Sequence, residues 1–330
     1  MTTVCTALVT GGTGFLGGHL VRRLAAEGVR VVLLVRDRPV VTSLDLVAPE
    51  APVAVLSGDL LDRDLLFRAL EEHGVDTVFH LAAQSQVRRA LTDPWETWET
   101  NVRGGVALFE AVRRTGRRIP LLVASSDKAY GPPRAQAYVE TDPLLGAAPY
   151  DASKSALECV ARSYAATYGM AVRVTRAANL YGPGDVNEDR IVPEACRAIL
   201  SGRKIVLRSD GSPRRDWLWV EDAVDGYMRL AQDAAEGGYE VYNLGTNRET
   251  SVREVVEILL GVAGSGVSGL DVQGKGTPPS EISRQRLDAS KIAARLDWRP
   301  KTPIEEGLPR TLDGYRGMRD RLRRLWTDIR

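Results

Sequence analysis

Residues 7–18 read ALVTGGTGFLGG, and the fold of the whole chain follows from this stretch. A short apolar run ends in glycines, and apolar residues at helical spacing follow over residues 16–27. A second apolar, β-branched run covers residues 29–35. A strand, a glycine turn, a helix and another strand make a βαβ unit, which predicts a parallel sheet.

The same alternation continues along the chain. We predict further strands at residues 53–56, 75–81, 120–124 and 171–175, and helices at 63–72, 95–115 and 150–168. About six parallel strands with helices between them predict an α/β, Rossmann-type fold with a doubly wound parallel sheet.

The regular alternation of strand and helix patterns ends near residue 179, where the sequence becomes polar and rich in turn-forming residues. We therefore predict a dinucleotide-binding domain over residues 1–178. Residues 179–330 should form a smaller C-terminal substrate-binding lobe, with some segments returning to the first domain. In that lobe we predict helices at 193–201 and 252–263 and a glycine- and proline-rich surface loop at 264–279.

Composition excludes several classes of protein. The 330 residues carry 44 basic and 43 acidic side chains. The resulting net charge of +1 argues against a protein that binds nucleic acid or an anionic membrane. Cys5, Cys159 and Cys196 are too widely spaced for a disulfide scaffold or a metal site. No apolar run is long enough to span a membrane, and the first residues do not resemble a signal peptide. We expect a soluble cytoplasmic protein without a metal.

Gly11, Gly14 and Gly17 form a G-x-x-G-x-x-G pattern between the first strand and the first helix. Glycines at such a turn let the backbone approach a pyrophosphate, whose negative charge then lies at the helix N-terminus. A tight turn without a ligand is the alternative. In this strand–turn–helix context the pattern predicts a dinucleotide site.

The far end of this site should be formed by the segments that follow the second and third strands. Arg36 and Arg38 can surround a 2′-phosphate, which favours NADP, whereas Asp37 can instead reach the ribose of NAD. Asp59 can accept a hydrogen bond from adenine or can cap a helix. The small residues in HLAAQ, residues 80–84, let a flat ligand lie against the backbone.

Tyr150 and Lys154 form a Y-x-x-x-K pair at the start of a predicted helix, which places them on one helical face. An ammonium group beside a phenol lowers the pKa of the phenol, so Tyr150 becomes a usable base. The chain has 38 Arg and only 6 Lys, which makes a lysine at this position more informative.

Ser126, Asp127 and Lys128 follow the strand predicted at residues 120–124. They should lie at the carboxyl edge of the sheet, where ligands of such folds bind. The hydroxyl of Ser126 can bridge a substrate hydroxyl and Tyr150. Asp127 and Lys128 can act as an acid and a base, or they can simply form a polar turn.

These residues belong to a longer series of motifs: GGTGFLGG, GDL, HLAAQ, NVRG, SSDKAYG, YDASK, RAANLYGPGD, RRDWLWVEDAVDGY and YNLGT. The series resembles the extended short-chain dehydrogenase/reductase superfamily of sugar-nucleotide epimerases and dehydratases. AAQSQVRRALTDPWETWETN, SSDK and GDVNEDRIVP most resemble CDP-glucose 4,6-dehydratases. The nucleotide base and the sugar stay open.

The resemblance implies roles for further residues. Cofactor contacts are implied for Phe15, Leu16, Leu60, Leu81, Ala82, Ala83, Gln84 and Asn101. Substrate contacts are implied for Gln86, Ser126, Asn179, Arg208, Arg215 and either Arg284 or Arg286. A homodimer is implied as well, with the helices predicted at 95–115 and 150–168 packed across a twofold axis.

The resemblance also implies a reaction in which NAD(P) is reduced and reoxidised within one turnover. In a 4,6-dehydratase Asp127 protonates the departing 6-hydroxyl, and Lys128 or a water that it holds takes the carbon 5 proton. A sugar-nucleotide 4-epimerase of the same superfamily is the first alternative, and it needs neither residue. A non-catalytic NAD(P)-binding regulator is an alternative of another class.

Overall fold

The structure, a computed structural model, describes residues 4–37, 39–264, 269–276 and 282–329. Its strands are β1 (Thr6–Thr10), β2 (Arg30–Val35), β3 (Val53–Ser57), β4 (Thr77–His80), β5 (Leu121–Ala124), β6 (Val172–Ala177), β7 (Asn179–Tyr181), β8 (Ile205–Leu207), β9 (Arg214–Arg215), β10 (Trp217–Trp219), β11 (Tyr239–Leu244), β12 (Thr250–Ser251), β13 (Leu270–Val272) and β14 (Arg284–Gln285).

Helices alternate with these strands. They are α1 (Phe15–Ala26), α2 (Ser43–Val47), α3 (Arg63–Glu72), α4 (Val87–Thr92), α5 (Pro94–Trp98), α6 (Gly104–Arg114), α7 (Pro149–Tyr168), α8 (Ile191–Ser201), α9 (Val220–Ala234), α10 (Val252–Ala263), α11 (Ser290–Leu296), α12 (Ile304–Gly317) and α13 (Arg319–Leu322). A π-helical segment, Glu99–Arg103, joins α5 to α6, and a 3-10 turn, Asp127–Tyr130, follows β5.

Within the described residues, seven strands form one parallel sheet in the order β3-β2-β1-β4-β5-β6-β11. Its strands are apolar on both faces because helices cover both. Ala7 and Val9 pack in a core with residues of α1 and α9, whereas Leu8 between them packs with residues of α3, α6 and α7. The predicted Rossmann-type α/β fold is confirmed.

The helices α9 and α12 and several short elements were not predicted, and three further differences concern the main sheet or predicted segments. The sheet has a seventh strand, β11, whose sequence YEVYNL is too polar to stand out as a buried run. The helix predicted at 95–115 is interrupted by the π-helical segment. The loop predicted at 264–279 contains β13, which pairs in parallel with β8.

A second hydrophobic core lies among α8, α10 and α12. Cys196, Val255, Leu259, Leu312 and Trp326 are fully buried in it. Two elements beyond residue 178, α9 and β11, pack instead with the large sheet. This packing agrees with the expectation that some segments beyond residue 178 return to the first domain. The boundary between the two domains stays a prediction. In the part of the chain that the structure describes, no helix combines the length and the apolar character needed to cross a membrane.

Candidate active site

The glycine turn brings three backbone segments into close contact. Gly11 has φ +73°, and a Cβ at this position would lie 2.6 Å from the backbone nitrogen of Ala82. A Cβ at Gly17 would lie 2.1 Å from the carbonyl oxygen of Gly11. Gly14 is the N-cap of α1 and has no side chain to cover the first N–H groups of that helix. The turn therefore leaves the positive end of α1 open to an anionic group.

A cavity of about 750 Å³ opens at the carboxyl ends of the strands, directly above this turn. It brings together most of the residues predicted to bind a cofactor: Gly11, Gly14, Phe15, Leu16, Gly17, Arg36, Asp37, Asp59, Leu60, Leu81, Ala82, Ala83, Gln84, Tyr150 and Lys154. Gln86, predicted to bind substrate, lines it as well. The volume is in the range of small-molecule and cofactor sites.

Asn101 is not one of the lining residues. Its side chain is fully buried, where Oδ1 accepts from the backbone nitrogen of Gln84 (2.7 Å) and Nδ2 donates to Gln84 O (3.1 Å) and to Ser153 Oγ (2.9 Å). Oδ1 and both hydrogens of Nδ2 are thus engaged within the protein, and the expected cofactor contact of Asn101 stays a prediction. Asn101 fixes Gln84, a lining residue, to the helix that carries Tyr150.

Asp59 lines the cavity and does not cap the following helix. Its Oδ1 accepts from the backbone nitrogen of Leu61 (2.9 Å), and the N-cap of α3 is Asp62. Arg36 and Asp37 form an ion pair with a 2.8 Å separation between Nε and Oδ2. Arg38, the second arginine favouring NADP, lies outside the described residues.

Tyr150 and Lys154 lie one turn apart on the buried face of α7. The ammonium of Lys154 donates to the carbonyl of Ala124 (2.8 Å), and its Nζ is 5.9 Å from the centre of the Tyr150 ring. Burial lowers the pKa of Lys154 to about 8 and raises the pKa of Tyr150 to about 12, although a hydrogen bond with Ser126 opposes the latter shift. The predicted lowering of the Tyr150 pKa does not occur in this structure, because burial outweighs the favourable interactions.

Ser126, Asp127 and Lys128 form the start of the 3-10 turn at the end of β5. Ser126 Oγ donates to Asp127 Oδ1 (3.1 Å) and accepts from the backbone nitrogen of Lys128 (3.2 Å). Burial raises the pKa of the Asp127 carboxyl, while the charge of Lys128 opposes that shift. Asp127 Oδ2 is buried and makes no hydrogen bond to any described residue. The site thus holds a buried carboxyl with a raised pKa and one oxygen without a partner among the described residues.

Sequence reasoning missed Asp151 and Gln285. A Cβ added at Gly146 would lie 2.6 Å from the Cβ of Asp151 and 2.8 Å from the carbonyl oxygen of Lys128, so Asp151 approaches the 3-10 turn that contains Lys128. Burial raises the pKa of Asp151 to about 6, against the charge of Lys128. Gln285 donates to the carbonyl of Asp127 (2.7 Å). The position of Asp151 beside Tyr150 in YDASK could have suggested it; Gln285 carries no local signal.

One predicted substrate residue, Arg215, approaches this turn through the short strands of the second lobe. β9 pairs with β14, which aligns Arg215 with Gln285, and the charge of Arg215 acts on Asp127. Asn179 begins β7, which pairs with β10. Asn179 Nδ2 and Arg286 Nε are buried and find no acceptor within the described residues. Neither Asn179 nor Arg286 is among the residues that line the cavity of Tyr150, so their contact with a ligand stays a prediction.

Arg208 and Arg284 are placed elsewhere. Arg208 is exposed and lines a second cavity of about 520 Å³, whose other lining residues are all charged: Glu188, Asp189, Glu194, Arg197, Arg203 and Asp328. Arg284 pairs with Glu249 through its Nε at 2.7 Å. The structure does not bring either arginine to the cavity of Tyr150, because β8 and the outer edge of β14 hold them in the second lobe.

Residues 7–245 of this chain match the model of a protein family described as "NAD dependent epimerase/dehydratase family". The chain belongs to that family. The match agrees with the superfamily suggested by the motifs, whereas the narrower likeness to CDP-glucose 4,6-dehydratases stays a prediction. The matching residues include the glycine turn, the 3-10 turn after β5 and the Tyr150–Lys154 pair.

The proteins similar to this chain include both 4,6-dehydratases and 4-epimerases of nucleotide sugars. The chain is 32% identical to a dTDP-glucose 4,6-dehydratase of Xanthomonas campestris pv. campestris, over 94% of this chain and 93% of that one. It is 35% identical to a UDP-glucose 4-epimerase of Mycolicibacterium smegmatis, over 94% and 98%. Among solved structures, the dTDP-glucose 4,6-dehydratase DesIV of Streptomyces venezuelae, with NAD and TYD bound, has a TM-score of 0.85 and 32% identity, covering 96% of this chain and 98% of that one.

Proposed function

We propose that this protein is an NAD(P)-dependent sugar-nucleotide 4,6-dehydratase, which converts a nucleoside-diphosphate hexose into its 4-keto-6-deoxy derivative. The observation that carries the proposal is the buried Asp127, hydrogen-bonded to Ser126 at the end of β5. Burial favours the protonated form of its carboxyl. A departing hydroxyl needs such an acid, whereas a 4-epimerase has no use for one.

The first half of the reaction belongs to Tyr150, Lys154 and Ser126. Tyr150 takes the proton of the sugar 4-hydroxyl, and Ser126 bridges that hydroxyl and the phenol. Burial holds the pKa of Tyr150 at about 12 although Lys154 lies on the same helical face, so the phenolate needs the further positive charge that an oxidised nicotinamide would add when bound. The dinucleotide, when bound, supplies the hydride acceptor for carbon 4 and later the hydride donor for carbon 6.

The second half belongs to Asp127 and Lys128. A ketone at carbon 4 acidifies the proton on carbon 5, which Lys128 in its neutral form, or a water that it holds, removes. Asp127 gives its proton to the departing 6-hydroxyl, so one water is lost. With the hydride that the dinucleotide would supply at carbon 6, Lys128 or its water gives the proton back to carbon 5, and the 4-hydroxyl proton taken by Tyr150 balances, through solvent, the proton that Asp127 lost. The product then differs from the substrate by one water alone.

Substrate anchoring requires donors for a diphosphate. Arg215 is the first candidate because it is buried beside Asp127, and guanidinium groups match phosphate oxygens in two-point contacts. The buried donors of Asn179 and Arg286 are consistent with contacts to the same ligand. We assign no contact with the substrate to Arg208 or Arg284.

We propose NAD as the preferred dinucleotide. Arg36 already pairs with Asp37 and lies 3.9 Å from a second carboxylate, Glu96, so its charge is largely neutralised. A 2′-phosphate at this place would meet two carboxylates, which disfavours NADP. The DesIV structure, similar over nearly the whole chain, has NAD bound.

We further propose a cytoplasmic homodimer. The exposed sides of α6 and α7 supply the dimer surface. Cytoplasm is where nicotinamide dinucleotides and nucleotide sugars occur together.

Asp127→Asn tests the reaction. We expect the rate of water loss from a nucleoside-diphosphate hexose to fall by about 10²- to 10⁴-fold, since one proton donor is removed. Mass spectrometry after incubation with CDP-, dTDP-, UDP- and GDP-sugars gives the readout. Asp313→Asn, which alters an exposed ion pair with Arg316, is the matched control. Unchanged turnover in folded Asp127→Asn would rule out the dehydratase.

The second candidate, a 4-epimerase, is favoured by the similarity to UDP-glucose 4-epimerases. It predicts a product of unchanged mass and altered retention, and activity that survives Asp127→Asn. Turnover of either kind would exclude a non-catalytic regulator.

A further inference from the structure

Three charged side chains from different parts of the chain meet at the rim of the main cavity. Arg36 follows β2, Arg89 lies in α4 and Glu96 lies in α5. Glu96 Oε2 is 2.7 Å from Arg89 Nε, and Glu96 Oε1 is 3.0 Å from Arg89 Nη2 and 3.9 Å from Arg36 Nη2. All three residues line the cavity.

The position of these contacts follows from the sheet. β1 lies between β2 and β4, and the glycine turn that should receive the pyrophosphate follows β1. Arg36 comes from the side of β2, whereas Arg89 and Glu96 come from the segment after β4. The contact between the two sides therefore belongs to the same cavity lining as Asp37 and Asp59, the residues expected on the adenosine side of that turn.

These contacts can open without unfolding the protein. The side chains of Arg36 and Arg89 are 51% and 56% exposed, whereas Glu96 between them is 21% exposed. Exposed ion pairs contribute little to folding and are screened by salt. Arg36 keeps Asp37 as a partner when it leaves Glu96.

We propose that Arg36, Glu96 and Arg89 form a strap over the adenosine half of the bound dinucleotide and slow its release. The inference rests on the proposed function, in which the dinucleotide is reduced and reoxidised without leaving the protein. Such a cycle gains nothing from exchange of the dinucleotide and fails when the reduced form departs before hydride returns. A salt-sensitive closure opposes that departure without touching the reacting atoms.

The test is the rate at which NADH leaves the protein. NADH bound to wild-type protein and to Glu96→Gln is chased with excess NAD, and the loss of its bound-state fluorescence is followed in a stopped-flow instrument. We expect release to be about two- to tenfold faster in Glu96→Gln, since two exposed ion pairs are removed. Wild-type release should accelerate with added salt, whereas release from Glu96→Gln should depend less on salt.

Two further variants make the result specific. Glu71→Gln, which removes a similarly exposed pair with Arg117, should release NADH at the wild-type rate. Arg36→Gln combined with Glu96→Gln should accelerate release less than the product of the two single effects, because both act through one contact. Equal release rates in Glu96→Gln and wild type, or full additivity, would overturn the strap. These rates need no substrate turnover, so a failed dehydratase assay leaves them interpretable.

Discussion

The burial of Lys154 lowers the stability of the folded protein at neutral pH. Lys154 is fully buried, and burial lowers its pKa from 10.5 to about 8. Its folded-state pKa lies below the unfolded value, so the charged form is penalised in the folded protein below pH 8. The penalty fades as the pH rises from about 8 to 10.5, where Lys154 is neutral in the folded state.

Lys154→Met should therefore be more stable than wild type at pH 7, by about 2 kcal/mol after the lost bond to the Ala124 carbonyl is counted. Its advantage should shrink at pH 9.5, and its sugar-nucleotide turnover should be lost. Urea unfolding at both pH values measures the difference. A variant less stable than wild type at pH 7 would contradict this account.

At the residue scale, the sequence was informative where spacing along the chain determines chemistry. Gly11, Gly17, Tyr150 and Lys154 could be assigned because a turn or one helical face brings them together. The position of Asn101 outside the cavity lining could not be predicted, because its bonds to Gln84 and Ser153 leave no local pattern in the sequence. Asp151 was missed for the same reason, since its approach to Lys128 depends on the chain at Gly146.

At the scale of elements, a buried network joins α7 to the 3-10 turn after β5. Glu158, one turn beyond Lys154 in α7, accepts from Arg176 Nη2 in β6 (2.7 Å) and from the hydroxyl of Ser125. Arg176 Nη1 donates to Tyr130 OH (2.9 Å), and Tyr130 OH donates to Asn243 Oδ1 in β11 (2.7 Å). One carboxylate thus connects α7, β6, β11 and the turn after β5.

Glu158→Gln should lower the free energy of unfolding by about 3 kcal/mol, because it leaves the buried guanidinium of Arg176 without its countercharge. Glu305→Gln, which removes an exposed partner of Arg248, should cost less than about 1 kcal/mol. Chemical denaturation of both variants gives the comparison. Equal small losses in the two would show that the buried pair does not hold these elements together.

The same scale explains which elements the sequence could predict. β1, β2 and β5 are covered on both faces, so they appear as continuous apolar runs. β11 lies at the edge of the sheet and carries half-buried polar residues, which hide it. β13 has three residues and depends on its partner β8, and no local signal predicts such a pairing.

At the scale of the whole molecule, α6 and α7 pack side by side on one face of the sheet. Tyr164 OH donates to Glu110 Oε1 (2.7 Å), and the Tyr164 ring lies 5.3 Å from that of Phe109. Leu157, Glu158 and Ala161 turn inward from α7, which leaves Cys159 and Ser163 exposed on its outer side. This outer side is the dimer surface in our proposal.

In a dimer of this kind the thiol of Cys159 should be hidden, although it is exposed in the single chain. Cys196 is buried in the second lobe, so Cys5→Ser leaves Cys159 as the one exposed cysteine among the described residues. We expect that variant to sediment at twice 36.0 kDa and to react slowly with a thiol reagent. Adding Ser163→Arg places like charges across the twofold axis and should give a monomer whose Cys159 reacts at least about tenfold faster. Ser163→Ala, which adds no charge, should remain dimeric and protected. Rapid labelling of Cys159 in a species of double mass would place the dimer surface elsewhere on the molecule.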